Sequence, residues 1–281
     1  MITITICNKK GGVGKTTTAY TLAAMLHLRN FRVLAIDLDG QCNLTKMTGI
    51  KKDCPTIYSV MTREVPIGKS IIPTEWFDLI QGSRSLFTIG QVLTEGVGRA
   101  MRLGEALRTI RRGYDFCILD TPPAVDVVTA NALMAADYVV IPAEANELST
   151  DGIVSISDSV KEVREYYNSN LKIAGILLTR YRGRTNIAQD YKEIFQKYAE
   201  IIGTKLFSTE IRETIAFSEV PSVHQPIFAY RKDSSGTEDY ASFTNELLTT
   251  IEENEEAMAE IKRAELRIEE EKLRAKEKVD V

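Results

Sequence analysis

The chain has 281 residues, 44% hydrophobic and 26% charged, with a formal net charge of −4, a balance that suits a globular protein with one sizeable core or two. No apolar run reaches the roughly 20 residues needed to cross a bilayer. Cys7, Cys42, Cys54 and Cys117 lack the paired spacing of a metal site or a disulfide framework, so reduced thiols in a cytoplasmic protein are expected.

Taken in chain order, residues 2–7 (ITITIC) predict a strand with no basic leader before it. It runs into Gly11-Gly12-Val13-Gly14-Lys15-Thr16, followed by a predicted helix over 15–28. Strand, glycine loop and helix together are the context of a phosphate-binding loop. Glycines bring backbone N–H groups close to phosphate oxygens, and the helix start adds a favourable dipole. Lys15 is a point charge for the β and γ phosphates, and the Thr16 hydroxyl suits Mg²⁺. The generic G-x-x-x-x-G-K-T spacing is broken, because Lys9 stands where its first glycine belongs and Lys10 comes next.

A second strand is predicted over 33–36, and beyond it Asp37 and Asp39 sit where ligands meet open α/β sheets. Residues two apart on an extended segment point the same way, so both carboxylates can face phosphate and metal. Further strands are predicted at 77–80, 116–119, 138–141, 173–178 and 205–207, with helices at 131–136, 153–167 and 187–202. The strand at 116–119 ends in Asp120, the form of a Walker B segment whose aspartate holds Mg²⁺ directly or through water. Alternation of this kind predicts an α/β fold: a doubly wound, mostly parallel sheet of about seven strands with helices on both faces.

The motif K-G-G-x-G-K-T, Lys10 to Thr16, resembles the deviant Walker A motif of the ParA/MinD ATPases. "VLAIDLDGQCN" resembles the family's D-x-D-P-Q segment, with Gly40 where proline is usual, a change expected to loosen that turn. "GILLTRYRGRTN" and "SEVPSVHQPIFAY" resemble later family segments, and the likeness runs from residue 2 to about 248. The resemblance implies ATP and Mg²⁺ as ligands, contacted by Lys10, Gly11, Gly12, Val13, Gly14, Lys15, Thr16 and Thr17. Thr179, Arg180 and Pro221 are implied near the adenine, and Thr16, Asp37 and Asp120 around the metal. Lys10, Lys15 and Asp39 would be the catalytic groups, with Asp39 acting on the attacking water. Lys10 would reach across an ATP-dependent homodimer to the partner's phosphates.

The D-x-D-x-Q-x-N and L-T-R-Y-R-G-R-T-N segments resemble the ParA/Soj-type DNA-partition branch. That branch implies non-specific DNA binding, a ParB-like centromere-binding partner and a nucleoid-associated place in the cytoplasm. Arg180, Arg182 and Arg184 are the candidate phosphate contacts, although they also suit a solvated loop paired with acids. A further basic position of the family falls on Ala216. An alternative is a same-fold ATPase that positions a protein complex, MinD-like or cargo-carrying, and a metabolic amidating ligase stands behind it.

The last part changes character. Residues 251–281 carry eleven acidic and seven basic side chains, and the other 250 are balanced at 28 of each sign, so any nucleic-acid binding rests on a local patch. The segment lacks Gly, Pro and aromatics and predicts a charged helical tail after an ATPase domain at 1–250. Its thin apolar stripe (Ala257, Ile261, Ala264, Ile268) leaves a solvated helix and a coiled coil or docking helix open. Stable membrane association is not expected from an acidic tail without aromatic anchors.

Overall fold

In a computed structural model, residues 1–93, 98–183 and 186–277 are described, with side chains at 148, 186–187 and 257–277 outside the description. Eight strands form one sheet: β1 (Ile2–Ile6), β2 (Val33–Asp37), β3 (Ile72–Pro73), β4 (Asp78–Ile80), β5 (Phe116–Asp120), β6 (Tyr138–Ala143), β7 (Lys172–Tyr181) and β8 (Leu206–Arg212). Their order is β3-β4-β2-β5-β1-β6-β7-β8, and every neighbouring pair is parallel except β3 with β4. The count exceeds the expected seven by β3. Two residues ending in proline carry no periodicity, and β3 exists only because β4 supplies its partner.

Both faces of the central strands are covered. Every residue of β2 and of β5 is buried, and alternate side chains point to opposite faces. Leu34, Ile36, Cys117 and Leu119 pack in a core with the helices Arg102–Ile110 and Val127–Ala135. The opposite parity holds Asp37 and Asp120, which are register partners across the β2–β5 pair. A second core joins β6 and β7 to the helices Leu148–Tyr166 and Asn186–Ile201.

Helix starts explain where the sequence reading slipped. The helix expected at 131–136 begins earlier, at Val127, because Asp126 caps it, accepting from the N–H groups of Val128 and Thr129 at 3.0 Å each. The helix Arg102–Ile110 was not expected, since only Leu103 and Leu107 mark its buried side. The last helix runs Ser235–Glu277, so the change of composition at 251 falls inside it. The chain forms two compact units, Met1–Thr244 and Asn245–Val281. No helix among the described residues is long and apolar enough to cross a membrane.

Candidate functional site

β1 lies at the point where the strand order reverses, with β5 on one side and β6 on the other. Such a switch point opens a crevice at the carboxyl ends of the strands. The loop 8–14 fills it and leads straight into the helix Lys15–Leu28. Gly12 and Gly14 take left-handed conformations, φ 80° and 81°, which an L side chain rarely adopts. Open space surrounds Gly11 and Gly12, so the loop's backbone is accessible to a ligand.

The loop is held from below by side chains that motif spacing does not mark. Asn8 is fully buried; its Nδ2 donates to the Pro142 carbonyl at 2.7 Å and its Oδ1 accepts from Lys10 N–H at 2.9 Å. Gly152, in the helix Leu148–Tyr166, packs so closely on Asn8 that a Cβ there would overlap Oδ1. From β7, the Thr179 hydroxyl donates to Val13 O at 2.9 Å and Ala143 O at 3.3 Å, so it is committed to the loop's carbonyls.

Lys15 is buried, and its Nζ donates to Lys10 O at 2.8 Å. Burial lowers its pKa, against the opposing charges of Asp120, Cys7 and Asp39. Asp37 and Asp120 are wholly buried and Asp39 nearly so. Asp37 is clamped by Thr45, whose N–H and hydroxyl both donate to Oδ2, at 2.8 and 2.6 Å. Desolvation still holds Asp37 above the usual carboxylate range, with the Asp39 charge adding to it. Asp39 accepts from Gln41 N–H at 2.9 Å, which fixes the turn after the strand.

Asp120 differs. Neither of its carboxylate oxygens makes a hydrogen bond of full geometry; its pKa is raised first by desolvation and then by Asp37, while the nearby Thr16 hydroxyl and the Lys15 charge oppose the rise. A buried, unsatisfied carboxylate is costly unless a cation or donor arrives. With its oxygens unsatisfied and Asp37 beside it in the sheet register, Asp120 suits a divalent cation held together with phosphate oxygens. No group of three or more His, Cys, Asp or Glu among the described residues makes a closed metal cage. Mg²⁺ takes one or two carboxylates and completes its shell from phosphates and water.

Beside the loop lies a cavity of about 620 Å³, lined among others by Gly12, Gly14, Thr17, Thr179, Arg180, Phe217 and Tyr240. That volume is in the range of small-molecule sites. Of the three residues expected near the adenine, Thr179 and Arg180 line it. Pro221 does not: it is exposed one turn beyond Phe217, and Phe217 and Ser218 of the same helix line the cavity instead. Tyr240, fully buried, ties the cavity's far wall to the loop helix by a 2.9 Å hydrogen bond to the Thr18 hydroxyl.

The arginines expected to meet DNA are engaged elsewhere. Arg180 pairs with Glu144 at 3.0 Å and Glu213 at 3.2 Å, and Arg182 pairs with Glu213. Arg184 lies outside the described residues. Arg180 also takes a left-handed φ of 50°, a strained position for a side chain of its size. Glu144 accepts from Asn146 Nδ2 at 3.1 Å, and Asn146 Oδ1 accepts from Lys10 Nζ at 2.7 Å. One polar chain therefore runs Lys10–Asn146–Glu144–Arg180–Glu213–Arg182. Sequence patterning carried no signal for Asn146, Glu144 or Glu213.

Gly40 is buried rather than loose. A Cβ there would stand 2.9 Å from the ring of Phe87, which packs on the turn after Asp39. The missing proline is thus replaced by a tertiary contact.

A family model described as an AAA domain matches residues 1–173. The chromosome partitioning protein ParA of Myxococcus xanthus is 36% identical over 249 residues, covering 87% of each chain. The chain is a member of the ParA/MinD family. The sporulation initiation inhibitor protein Soj of Bacillus subtilis is 35% identical over 250 residues, 87% of this chain and 97% of that one. Among solved structures, cobyrinic acid a,c-diamide synthase from Mycobacterium smegmatis, with bound ATP analogue and magnesium, superposes with a TM-score of 0.77 at 27% identity. The overlap covers 88% of this chain and 94% of that one. As a ParA/MinD-family chain, it carries the family's phosphate loop on an α/β P-loop fold.

Proposed function

We propose that this chain is a DNA-partition ATPase, a switch that closes as an ATP-dependent homodimer, holds DNA without sequence preference and opens on hydrolysis. The reading rests above all on Asp120, a buried carboxylate with both oxygens unsatisfied at the mouth of a glycine loop. Its ParA and Soj relatives point the same way. Mg²⁺, when bound, would draw negative charge off the transferred phosphoryl group.

The chain's own groups do the rest. Backbone N–H groups of residues 11–16 cradle the phosphates, and Lys15 exchanges its bond to Lys10 O for phosphate oxygens. Thr16 and Asp120 would hold the metal, and Asp37, clamped by Thr45, would support that shell. Asp39 orients the attacking water from a turn that Gln41 and Phe87 keep in place. Thr17, Thr179 and Arg180 flank the base and sugar. Lys10 leaves Asn146 and reaches the partner protomer's phosphates, which makes closure depend on the nucleotide.

Arg180 and Arg182, with Arg184, contact DNA phosphates once their carboxylate partners let go. A ParB-like centromere-binding protein stimulates hydrolysis and release, on the nucleoid in the cytoplasm. Residues 251–281 are a charged tail following the ATPase part, 1–250. A second reading, a same-fold ATPase positioning a protein complex, is favoured to one extent: Glu144 and Glu213 neutralise the described arginines.

The test is Lys10→Ala in sedimentation velocity with MgATP and in parallel nucleotide binding. Retained binding with loss of the ATP-dependent dimer is expected. A variant that dimerises normally with ATP refutes the role of Lys10.

A further inference from the structure

We propose that a hollow between the helix Lys15–Leu28 and the turn before β4 binds an arginine side chain of a protein partner. The hollow, about 270 Å³, is walled by Tyr20, Trp76, Phe77 and His224, with Glu75 and Thr48 on its rim. Its walls are set in place before any ligand arrives. Tyr20 and Phe77 stack edge to face at 5.6 Å, and Trp76 stacks the same way on Phe228 at 5.2 Å.

The turn that presents Glu75 and Trp76 is locked by Thr74. Its hydroxyl accepts from the N–H groups of Trp76 and Phe77 at 3.2 Å each and donates to Phe77 O at 2.5 Å. On the opposite rim, His224 holds a left-handed φ of 54° with its ring against Gly49, itself at φ 68°. A Cβ on Gly49 would stand 2.6 Å from the His224 ring, so only glycine lets the ring close that wall.

The chemistry of the lining selects a cation. Aromatic faces attract a guanidinium or ammonium group, and arginine adds planar stacking. Glu75 makes no hydrogen bond or ion pair among the described residues, and no lysine or arginine lines the hollow. Its charge is felt inside: Glu75 adds to the burial that raises the Tyr20 phenol. An unpaired carboxylate beside aromatic walls is complementary to a basic side chain.

The site also touches the hydrolytic machinery, a consequence that rests on the ATPase reading. Thr48 follows the helix Asn43–Met47 directly, and Thr45 of that helix makes both side-chain and backbone bonds to Asp37. A side chain seated against Thr48 bears on the segment that carries Asp37 and Asp39.

The chain's one tryptophan makes the site directly readable. A triarginine peptide is titrated against the nucleotide-free full chain at constant ionic strength while Trp76 emission is followed, with tricitrulline as the neutral control. Saturable change with triarginine, none with tricitrulline, and about fivefold weaker binding to Glu75→Gln are expected. Equal response to tricitrulline, no response at all, or unchanged binding by a Glu75→Gln variant with wild-type circular dichroism overturns the proposal. Because this titration uses no nucleotide, its outcome is independent of whether the chain hydrolyses ATP. A second arm measures ATP turnover with triarginine, where stimulation of wild type but not of Glu75→Gln is expected. Peptide binding without stimulation overturns the coupling to Asp37.

Discussion

Replacing Glu213 by glutamine removes the carboxylate shared by Arg180 and Arg182 while keeping its shape. Arg180 retains Glu144, at 3.0 Å, and Arg182 loses its ion pair with that carboxylate. The two arginine side chains are largely exposed, so the fold depends little on the pairs, and the effect falls on what the arginines can meet next. Each phosphate neutralised on duplex DNA adds roughly 0.9 to the salt slope. One arginine released per protomer, in a dimer, therefore steepens it by roughly 1.8. Between about 50 and 200 mM salt, that is on the order of tenfold in the ratio of affinities.

The assay is fluorescence anisotropy on a non-specific duplex across that salt range, with MgATP. Tighter binding at low salt and a steeper slope are expected for Glu213→Gln, and the reverse for Arg182→Gln. An unchanged slope for Glu213→Gln refutes the idea that this carboxylate masks the arginines. Acidity alone should not reproduce the effect near neutrality. The Arg182 hydrogen bond holds Glu213 below the usual carboxylate range. The pairing is present above the ordinary carboxylate pKa and is lost only as pH falls through the lowered one. Wild-type affinity from this source should stay flat between about pH 6 and 8.

Further outcomes follow from the same geometry. Asp39→Ala should form ATP-dependent dimers that persist, seen as a dimer peak stable over hours by size exclusion; prompt dissociation would remove Asp39 from hydrolysis. Thr45→Val deletes a 2.6 Å hydroxyl bond to a buried carboxylate and the acceptor for Gly82 N–H at 3.0 Å. A loss of about 1.5–3 kcal/mol in urea unfolding is expected, and under ~0.5 would contradict the clamp. Gly152→Ala gains up to ~1 kcal/mol of helix propensity but overlaps Asn8 Oδ1, where overpacking costs about 1–3 kcal/mol. The strain should prevail, lowering nucleotide affinity at least about tenfold by calorimetry through displacement of Lys10 N–H from Asn8.

Much of this was legible in one dimension because local chemistry dictated it. Residues 11–16 read as a phosphate loop since left-handed glycines, a lysine and a helix start are all encoded side by side. The helix at 15–28 and the strand preceding Asp120 followed from short-range patterning. The resemblance implied Asp37 and Asp120 around one metal, and the β2–β5 register makes them neighbours. The reading of Gly40 as a loosened turn failed because Phe87, 47 positions later, closes on it. Pro221 was assigned to the base by motif position, yet a helical turn carries it past the cavity that Phe217 lines.

The sequence by itself determined the phosphate chemistry, the alternation of strands and helices and the family, because each depends on residues a few positions apart. Tertiary structure alone decided which groups are free to act. Asn8 braces the loop only because β6 and the helix Leu148–Tyr166 reach it, and Lys10 waits on Asn146 across 136 positions. Asp120 is left without partners by burial, and Arg180 and Arg182 are occupied by Glu144 and Glu213. Whether a charge is satisfied depends on desolvation and on neighbours brought from far along the chain, and no local pattern records either.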